Sequence, residues 1–167
     1  MKRNHTPCAA RMMAIALVAM AAVVTQSAGA VTAESLRVHG SGVASETVYD
    51  ADSLARLGAI AMTTKTPWTG ERDVHFVGLP LAKLLGAVGA GGDTIKASAL
   101  NDYAVSFSAR DAVAKDALIA FEVDGQRLSV RDKGPFWIVF PWSSRPELAT
   151  EVVSGMSIWQ LTDLEIR

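Results

Sequence analysis

The stretch that decides the fold is residues 118–141, "LIAFEVDGQRLSVRDKGPFWIVFP". Five of its first six residues are apolar, which is typical of a β-strand, and Asp124-Gly125 follows as a hairpin turn signal. Residues 136–140 are continuously apolar, which indicates a second strand in the middle of a sheet. The stretch therefore predicts a domain built around a β-sheet.

The sequence on both sides of this stretch predicts more strands and two helices. Asp50 is placed to cap a helix over residues 51–57, and Pro80 to open a second helix that Gly89 stops. Asn101-Asp102 is a turn pair between two strands. The other predicted strands are residues 35–38, 46–49, 59–66, 74–77, 94–99, 104–108 and 158–166. The prediction is one mixed α+β domain, mostly β.

The N-terminus has the three-part pattern of a secretory signal peptide. A basic start without acidic residues precedes an apolar run over residues 14–24, and small residues follow up to Ala30. The run is too short for a membrane-spanning helix, which needs about 20 residues, although an uncleaved N-terminal anchor is the alternative. We expect a signal peptide over residues 1–30, with cleavage after Ala30 or Ala33. The mature domain would then be residues 34–167, located in the periplasm without stable membrane insertion.

Removal of this leader leaves a chain with an acidic surplus. The leader takes three basic and no acidic residues, so 13 basic and 17 acidic residues remain, a net charge near −4. Nucleic-acid-binding proteins usually have a basic surplus, so we expect no nucleic-acid partner. The single cysteine, Cys8, leaves with the leader, and only His39 and His75 remain as histidines. A metal site built from cysteine and histidine is therefore not expected.

The tryptophans are the most unusual feature of the mature chain. Trp68 and Trp142 each follow a proline in a polar loop, whereas Trp137 and Trp159 fall in predicted strands. Aromatic faces stack on flat rings while charged groups bond the ring edges, so these loops could hold a flat polar ring. The basic residues near them are Lys65, Arg131, Lys133 and Arg145. For Trp137 and Trp159 the alternative to ligand binding is a place in the hydrophobic core. For Trp68 and Trp142 this alternative is weaker, because polar loops rarely bury an aromatic ring fully.

From Val74 to the C-terminus the chain resembles the molybdopterin-binding domain of the sulfite oxidase family. The stretches that carry the resemblance are "FVGLPLAKLL", "LNDYAVSFSARDA", the run over residues 118–141, and "SIWQLTDLEI". They stand in the family's order and spacing. The resemblance implies the family's β-rich α+β fold.

The sequence departs from the family's enzymes at three cofactor positions. In those enzymes a cysteine that binds molybdenum lies in the loop that here reads "TTKTPWTGE", which contains none. Trp137 stands where the enzymes have a cofactor-binding arginine, and Ile158 where they have a lysine. Loss of the cations removes charge-assisted hydrogen bonds to the molybdopterin phosphate. The resemblance thus implies a pocket for a flat heterocycle without a phosphate tail.

The chain also resembles small periplasmic, pterin-binding relatives of this domain, most closely in its "RDKGP-x-WIV-x-P" run. These relatives imply a non-catalytic sensor that binds a pterin non-covalently and without metal, in place of molybdopterin. The implied partner is the periplasmic region of an inner-membrane signalling protein, either a cyclic di-GMP enzyme or a kinase.

Nine residues are candidates for the binding site. Trp137 is predicted to stack on the pterin, because it replaces a cofactor-binding arginine. Asn101, Asp102 and Tyr103 are predicted to recognise the polar edge of the ring, where a carboxylate can accept two hydrogen bonds. The remaining candidates are Arg131 and Lys133 at the mouth, and Trp68, Arg145 and Trp159. The alternative for Arg131 and Lys133 is solvated surface charge.

Two other functions compete with the sensor. One is a molybdopterin-dependent oxidoreductase, which would hold its metal without a cysteine ligand. The other is a subunit that binds a protein partner and no small molecule. Metal content would separate the sensor from the enzyme, and a bound pterin would separate it from the protein-binding subunit.

Overall fold

The computed structural model describes residues 34–167, so the predicted signal peptide and its cleavage positions lie outside the described residues. Within this range no helix is long and apolar enough to cross a membrane. The strands are β1 (Leu36–His39), β2 (Thr47–Tyr49), β3 (Ile60–Thr64), β4 (Val74–Pro80), β5 (Thr94–Ala99), β6 (Ala104–Ser108), β7 (Leu118–Val123), β8 (Gln126–Arg127), β9 (Trp137–Val139) and β10 (Leu161–Ile166). The helices are α1 (Ala51–Arg56), α2 (Leu81–Ala87), α3 (Ala109–Ala114) and α4 (Glu151–Met156), with 3-10 turns at Val130–Asp132 and Pro146–Leu148.

The strands form two sheets. The first has the order β2-β1-β10-β5-β6, in which only the β1–β10 pair is parallel. The second has the order β3-β4-β7-β8, and β9 also pairs with β7. The two are linked by a bridge between Phe136 and Leu161 and by a 3.0 Å hydrogen bond from Ile138 N to Ile158 O. The predicted β-rich α+β fold is confirmed.

Both ends of the stretch over residues 118–141 lie in the core, whereas the hairpin turn between them is exposed at residues 124–127. Residues 118–121 of β7 are buried, and so is every residue from Gly134 to Trp142. A Cβ atom at Gly134 would lie 2.3 Å from Leu128 O, so only glycine lets these two chain segments approach. Gly78 meets the same constraint in β4, where a Cβ would lie 2.4 Å from Ile119 O.

Helix capping explains both a correct prediction and two missed helices. The Asp50 side chain accepts from Ser53 N at 2.7 Å and the Ser53 hydroxyl accepts from Asp50 N at 2.9 Å, a capping box that confirms the predicted start of α1. α3 and α4 were not predicted, although each has six residues, the same length as α1. Their N-caps, Ser108 and Thr150, were the available signal.

Candidate ligand cleft

A cleft of about 350 Å³ opens where three segments meet: the loop after β3, the turn between β5 and β6, and the chain from α4 to β10. This volume lies within the usual range for small-molecule sites. The cleft is lined by Trp68, Ala99, Asn101, Tyr103, Ser154, Gly155, Ser157, Ile158 and Trp159. The fold therefore brings together Trp68, Asn101, Tyr103 and Trp159 from the predicted site.

Three tryptophans form one cluster beside the cleft. The ring centroids of Trp68 and Trp159 are 4.9 Å apart with an interplanar angle of 80°. Trp137 packs edge-on against both, at 5.9 Å from Trp68 and 6.4 Å from Trp159. Edge-to-face contacts at these distances are favourable, so the cluster fixes the orientation of the two indoles that line the cleft.

Trp137 lies beneath the cleft and not in its wall. Its side chain is 2 % exposed, and its Nε1 donates to the Ser157 hydroxyl at 3.0 Å. Ser157 in turn donates to Ile138 O at 2.6 Å, so both buried polar groups are satisfied. The stacking role of Trp137 stays a prediction, but a ring in the cleft would meet Trp68 and Trp159 first.

Lys133 contributes a positive charge to this cluster. Its Nζ lies 4.8 Å from the ring centroid of Trp159 and 5.6 Å from that of Trp137, both cation–π distances. The backbone of Lys133 is left-handed, with φ of 66°. The Lys133 ammonium group thus lies over the ring faces of Trp159 and Trp137, and Lys133 is not among the residues that line the cleft.

The turn between β5 and β6 presents two of its three predicted residues to the cleft. Asn101 Oδ1 accepts from Tyr103 N at 3.3 Å, and the Asn101 NH₂ group has no hydrogen bond within residues 34–167. Tyr103 is 57 % exposed. Asp102 occupies a left-handed position, with φ of 64°, and does not line the cleft. The amide and the phenol are therefore the polar groups that this turn offers.

The two predicted arginines lie outside the cleft lining. Arg145 donates to Asp116 at 2.8 Å and to Glu147 at 3.0 Å, and its pKa is raised by the hydrogen bonds to Glu147 and Asp116. These two carboxylates neutralise its charge. Arg131 is exposed on the first 3-10 turn.

The expectation of an exposed Trp142 was wrong. Trp142 is 3 % exposed, because its Nε1 donates to Leu148 O at 3.0 Å and its ring packs 5.5 Å from that of Phe140. By contrast, Trp68 is 38 % exposed. Trp68 and Trp159 both line the cleft, and within residues 34–167 their indole N–H groups donate to no protein atom.

Sequence reasoning missed the contribution of α4. Ser154, Gly155 and Ser157 line the cleft from the end of this helix, in the segment "SGMS". A Cβ at Gly155 would meet no atom within 4 Å, so the residue leaves open space at the cleft. Three small residues in four, shortly before Trp159, were the available signal.

The lining suits a flat, uncharged heterocycle and does not suit a molybdenum centre. It contains no thiol, imidazole, carboxylate or cationic side chain. No group of three or more histidine, cysteine, aspartate or glutamate residues that could hold a metal occurs among the described residues 34–167. The residues present therefore supply neither a thiolate for molybdenum nor cations for a phosphate.

Comparisons with known proteins agree with this fold. Residues 27–145 match the family described as the oxidoreductase molybdopterin binding domain. Among solved structures, the sulfane dehydrogenase SoxCD from Paracoccus pantotrophus superposes with a TM-score of 0.58 at 20 % sequence identity. The superposition covers 83 % of this chain and 40 % of that one, and at this identity it establishes a shared fold only. No curated protein matches the sequence.

The family match covers well over half of the chain, including the Trp68 loop and β9, and the two-sheet architecture agrees with it. The predicted resemblance to the molybdopterin-binding domain is thereby confirmed. This chain belongs to the oxidoreductase molybdopterin-binding domain family.

Proposed function

We propose that this domain binds a metal-free pterin non-covalently in the cleft and has no catalytic activity of its own. The observation that carries the proposal is the cleft wall, in which the Trp68 and Trp159 indoles meet at 4.9 Å beside polar groups and without a thiolate, imidazole or carboxylate. A fused, flat and polar ring is the ligand class that such a wall accommodates.

The polar groups around the cleft match the edges of a pterin. A pterin presents a carbonyl and ring nitrogens that accept hydrogen bonds, and an amine and N–H that donate them. The Asn101 NH₂ group and the two indole N–H groups can donate, while the Tyr103 and Ser154 hydroxyls can donate or accept. Ring contact supplies affinity and these groups fix the orientation of the ring.

A molybdopterin is a poorer match, for two reasons. Its metal would find no thiolate, imidazole or carboxylate ligand in the lining. Its phosphate would find no cation in the lining either, since Lys133 lies against the faces of Trp159 and Trp137 and Arg145 is paired with two carboxylates. Burying an unpaired phosphate is costly.

A second candidate function is a molybdopterin-dependent oxidoreductase, which the family match alone favours. It would need a metal retained by the cofactor without a protein ligand. Molybdenum that co-purifies with the native protein in near-equal molar amount would favour this candidate over the pterin-binding protein.

We further propose that the protein acts in the periplasm as a sensor. The N-terminal sequence pattern supports export, and the resemblance to small pterin-binding relatives supports a relay of ligand state to an inner-membrane signalling protein, a cyclic di-GMP enzyme or a kinase. N-terminal sequencing of exported protein should then begin at Val31 or Glu34. A mature chain that begins at Met1 in the cytoplasm would contradict this location.

Native purification followed by analysis of the bound small molecules tests the proposed ligand. We expect a compound with pterin fluorescence in the denatured extract and no stoichiometric molybdenum by mass spectrometry. The proposal would be contradicted if the purified protein carries no pterin and, once its refolding is verified, binds neither oxidised pterin nor tetrahydropterin. That result would favour the protein-binding subunit.

A further inference from the structure

The loop over residues 65–73 is closed at its base by Ser143, a residue far away in the sequence. The ladder between β3 and β4 ends just before this loop. At the point where the ladder ends, the Ser143 hydroxyl accepts from Lys65 N at 2.8 Å and donates to Asp73 Oδ1 at 2.5 Å. One side chain therefore holds the first and the last residue of the loop.

The main chain of Ser143 is bound to the same end of β3. Its N–H donates to the hydroxyl of Thr64 at 3.0 Å, and this hydroxyl donates in turn to Lys65 O at 3.0 Å. Thr64 is fully buried and is the last residue of β3. Because a buried hydroxyl without a partner is costly, this link fixes Ser143 against the end of the strand.

The position of Ser143 is also fixed from the preceding residue. Ser143 directly follows Trp142, which is buried and donates to Leu148 O at 3.0 Å. The ring of Trp142 therefore anchors this part of the chain in the core. Ser143 holds the loop over residues 65–73 from that anchored position.

Inside the loop, two threonines order the chain around Trp68. Thr69 Oγ1 accepts from Thr66 N at 2.7 Å, and Thr66 Oγ1 accepts from Trp68 N at 3.2 Å. Bonds of this kind between side chain and backbone fix the local turn. They join the loop only to itself, so the orientation of the loop as a whole depends on what holds its base.

Within residues 34–167 the other polar contact from this loop to a distant part of the chain is an ion pair. Arg72 lies 3.0 Å from Asp124, and both side chains are exposed. Exposed ion pairs contribute little to stability. Ser143 is therefore the main polar connection between the loop that carries Trp68 and the rest of the domain.

We propose that Ser143 is a positioning residue for the cleft. It holds the loop in the orientation in which the Trp68 indole meets that of Trp159, so that this wall is formed before a ligand arrives. Pre-organised groups bind more tightly, because less order has to be imposed at the binding step. The effect on ligand affinity rests on the proposed pterin site, whereas the effect on Trp68 in the ligand-free protein does not.

Two measurements on Ser143→Ala test this proposal. The first is the heteronuclear NOE of the Trp68 indole N–H in ligand-free protein, assigned with Trp68→Phe, which reports fast motion of the ring. We expect a lower value than in wild type. The second is calorimetric titration with whichever of oxidised pterin and tetrahydropterin wild type binds. We expect an affinity weakened about three- to tenfold, the usual effect of losing one or two hydrogen bonds.

The chain offers a matched control in the next residue. The Ser144 hydroxyl donates to Pro141 O at 3.3 Å and makes no hydrogen bond to the loop over residues 65–73. Ser144→Ala should therefore keep both the order of Trp68 and the affinity of wild type. Ser143→Thr retains the hydroxyl and should also keep both, which a role in packing alone would not predict. Circular dichroism would verify the fold of every variant.

Failure of this proposal is distinguishable from failure of the pterin site. If folded wild type binds no pterin, the proposed function is contradicted, and the Trp68 signal alone decides the role of Ser143. That role would be overturned by a Trp68 indole that is already mobile in wild type, or by one that is equally ordered in wild type and Ser143→Ala. It would also be overturned if Ser143→Ala and Ser144→Ala bind a pterin with equal affinity.

Discussion

Two loops of this molecule carry the same dipeptide and use it in opposite ways. Pro67-Trp68 and Pro141-Trp142 each follow a strand and precede polar residues. Trp68 is 38 % exposed and lines the cleft, whereas Trp142 is 3 % exposed and donates to Leu148 O. The two loops have similar polarity, so loop polarity does not determine whether the tryptophan ring is buried or exposed.

The difference is in what each loop offers the indole N–H. The second loop folds into a 3-10 turn at Pro146–Leu148, which places a carbonyl 3.0 Å from Trp142 Nε1. The first loop closes on itself through a bond from Thr69 N to Thr66 O and gives the Trp68 indole no acceptor. A tryptophan with a satisfied N–H can be buried, and one without such a partner remains available to a ligand.

The largest expected effect is on the stability of the second loop. Trp142→Ala should lower the free energy of unfolding by about 3–5 kcal/mol, because it removes a buried ring and leaves a cavity. Chemical denaturation measures this value. A loss below about 1 kcal/mol would show that the ring is not part of the core.

Below the cleft, Ser157→Ala should cost about 1–3 kcal/mol, because it leaves the buried N–H of Trp137 and the carbonyl of Ile138 unsatisfied. The combined variant Ser157→Ala with Trp137→Phe removes the indole N–H, so it should cost less than the sum of the two single changes. Additive losses in this double-mutant cycle would mean that the hydrogen bond contributes little.

Trp68→Ala should have the reverse effect of Trp142→Ala. We expect a loss of stability of about 1–2 kcal/mol, smaller than for Trp142→Ala because the ring is 38 % exposed, and a loss of about 1–3 kcal/mol of pterin affinity, the usual contribution of one stacking contact. Thermal unfolding and ligand titration of the same preparation measure both. If Trp68→Ala destabilises the fold but leaves the pterin affinity unchanged, the roles that we assign to the two loops are wrong.

The smallest expected effect concerns the charges of the second loop. The hydrogen bond from Arg145 lowers the pKa of Glu147, so the bond stabilises the fold above the unfolded pKa and is lost as pH falls through the folded pKa. Arg145→Gln should therefore raise the Glu147 pKa towards its ordinary value in an NMR titration. Its thermal midpoint should differ from that of wild type at neutral pH and converge with it in acid. No shift at Glu147 would show that this ion pair is absent in solution.

Much of the fold could be predicted from local sequence patterns. The Asp50 cap, the Asp124-Gly125 hairpin and the apolar run before Pro141 each specify their own conformation through adjacent residues. α3 and α4 are as short as α1, and they were missed because their N-caps, Ser108 and Thr150, were not recognised. α4 packs against β6, a strand far away in the sequence.

The candidate site could be predicted from the sequence only in part, because it also depends on contacts between distant parts of the chain. Trp68, Asn101, Tyr103 and Trp159 were identified by residue type and the fold brings them together, but residue type could not tell Trp142 from Trp68. The partner that buries Trp142 is a backbone carbonyl six residues away, which composition does not reveal. The serines of α4 were missed because the helix that presents them was missed.

The most direct test of the central claim is a calorimetric titration of the mature, ligand-free domain with pterin in its oxidised and tetrahydro forms. Wild type, Trp68→Ala and Trp142→Phe would be compared, the last being a matched loss of an indole outside the cleft. We predict saturable binding of at least one form by wild type and Trp142→Phe, and binding weakened by about tenfold or more in Trp68→Ala. Binding of no pterin by folded wild-type protein, or equal binding by all three proteins, would contradict a pterin site between Trp68 and Trp159.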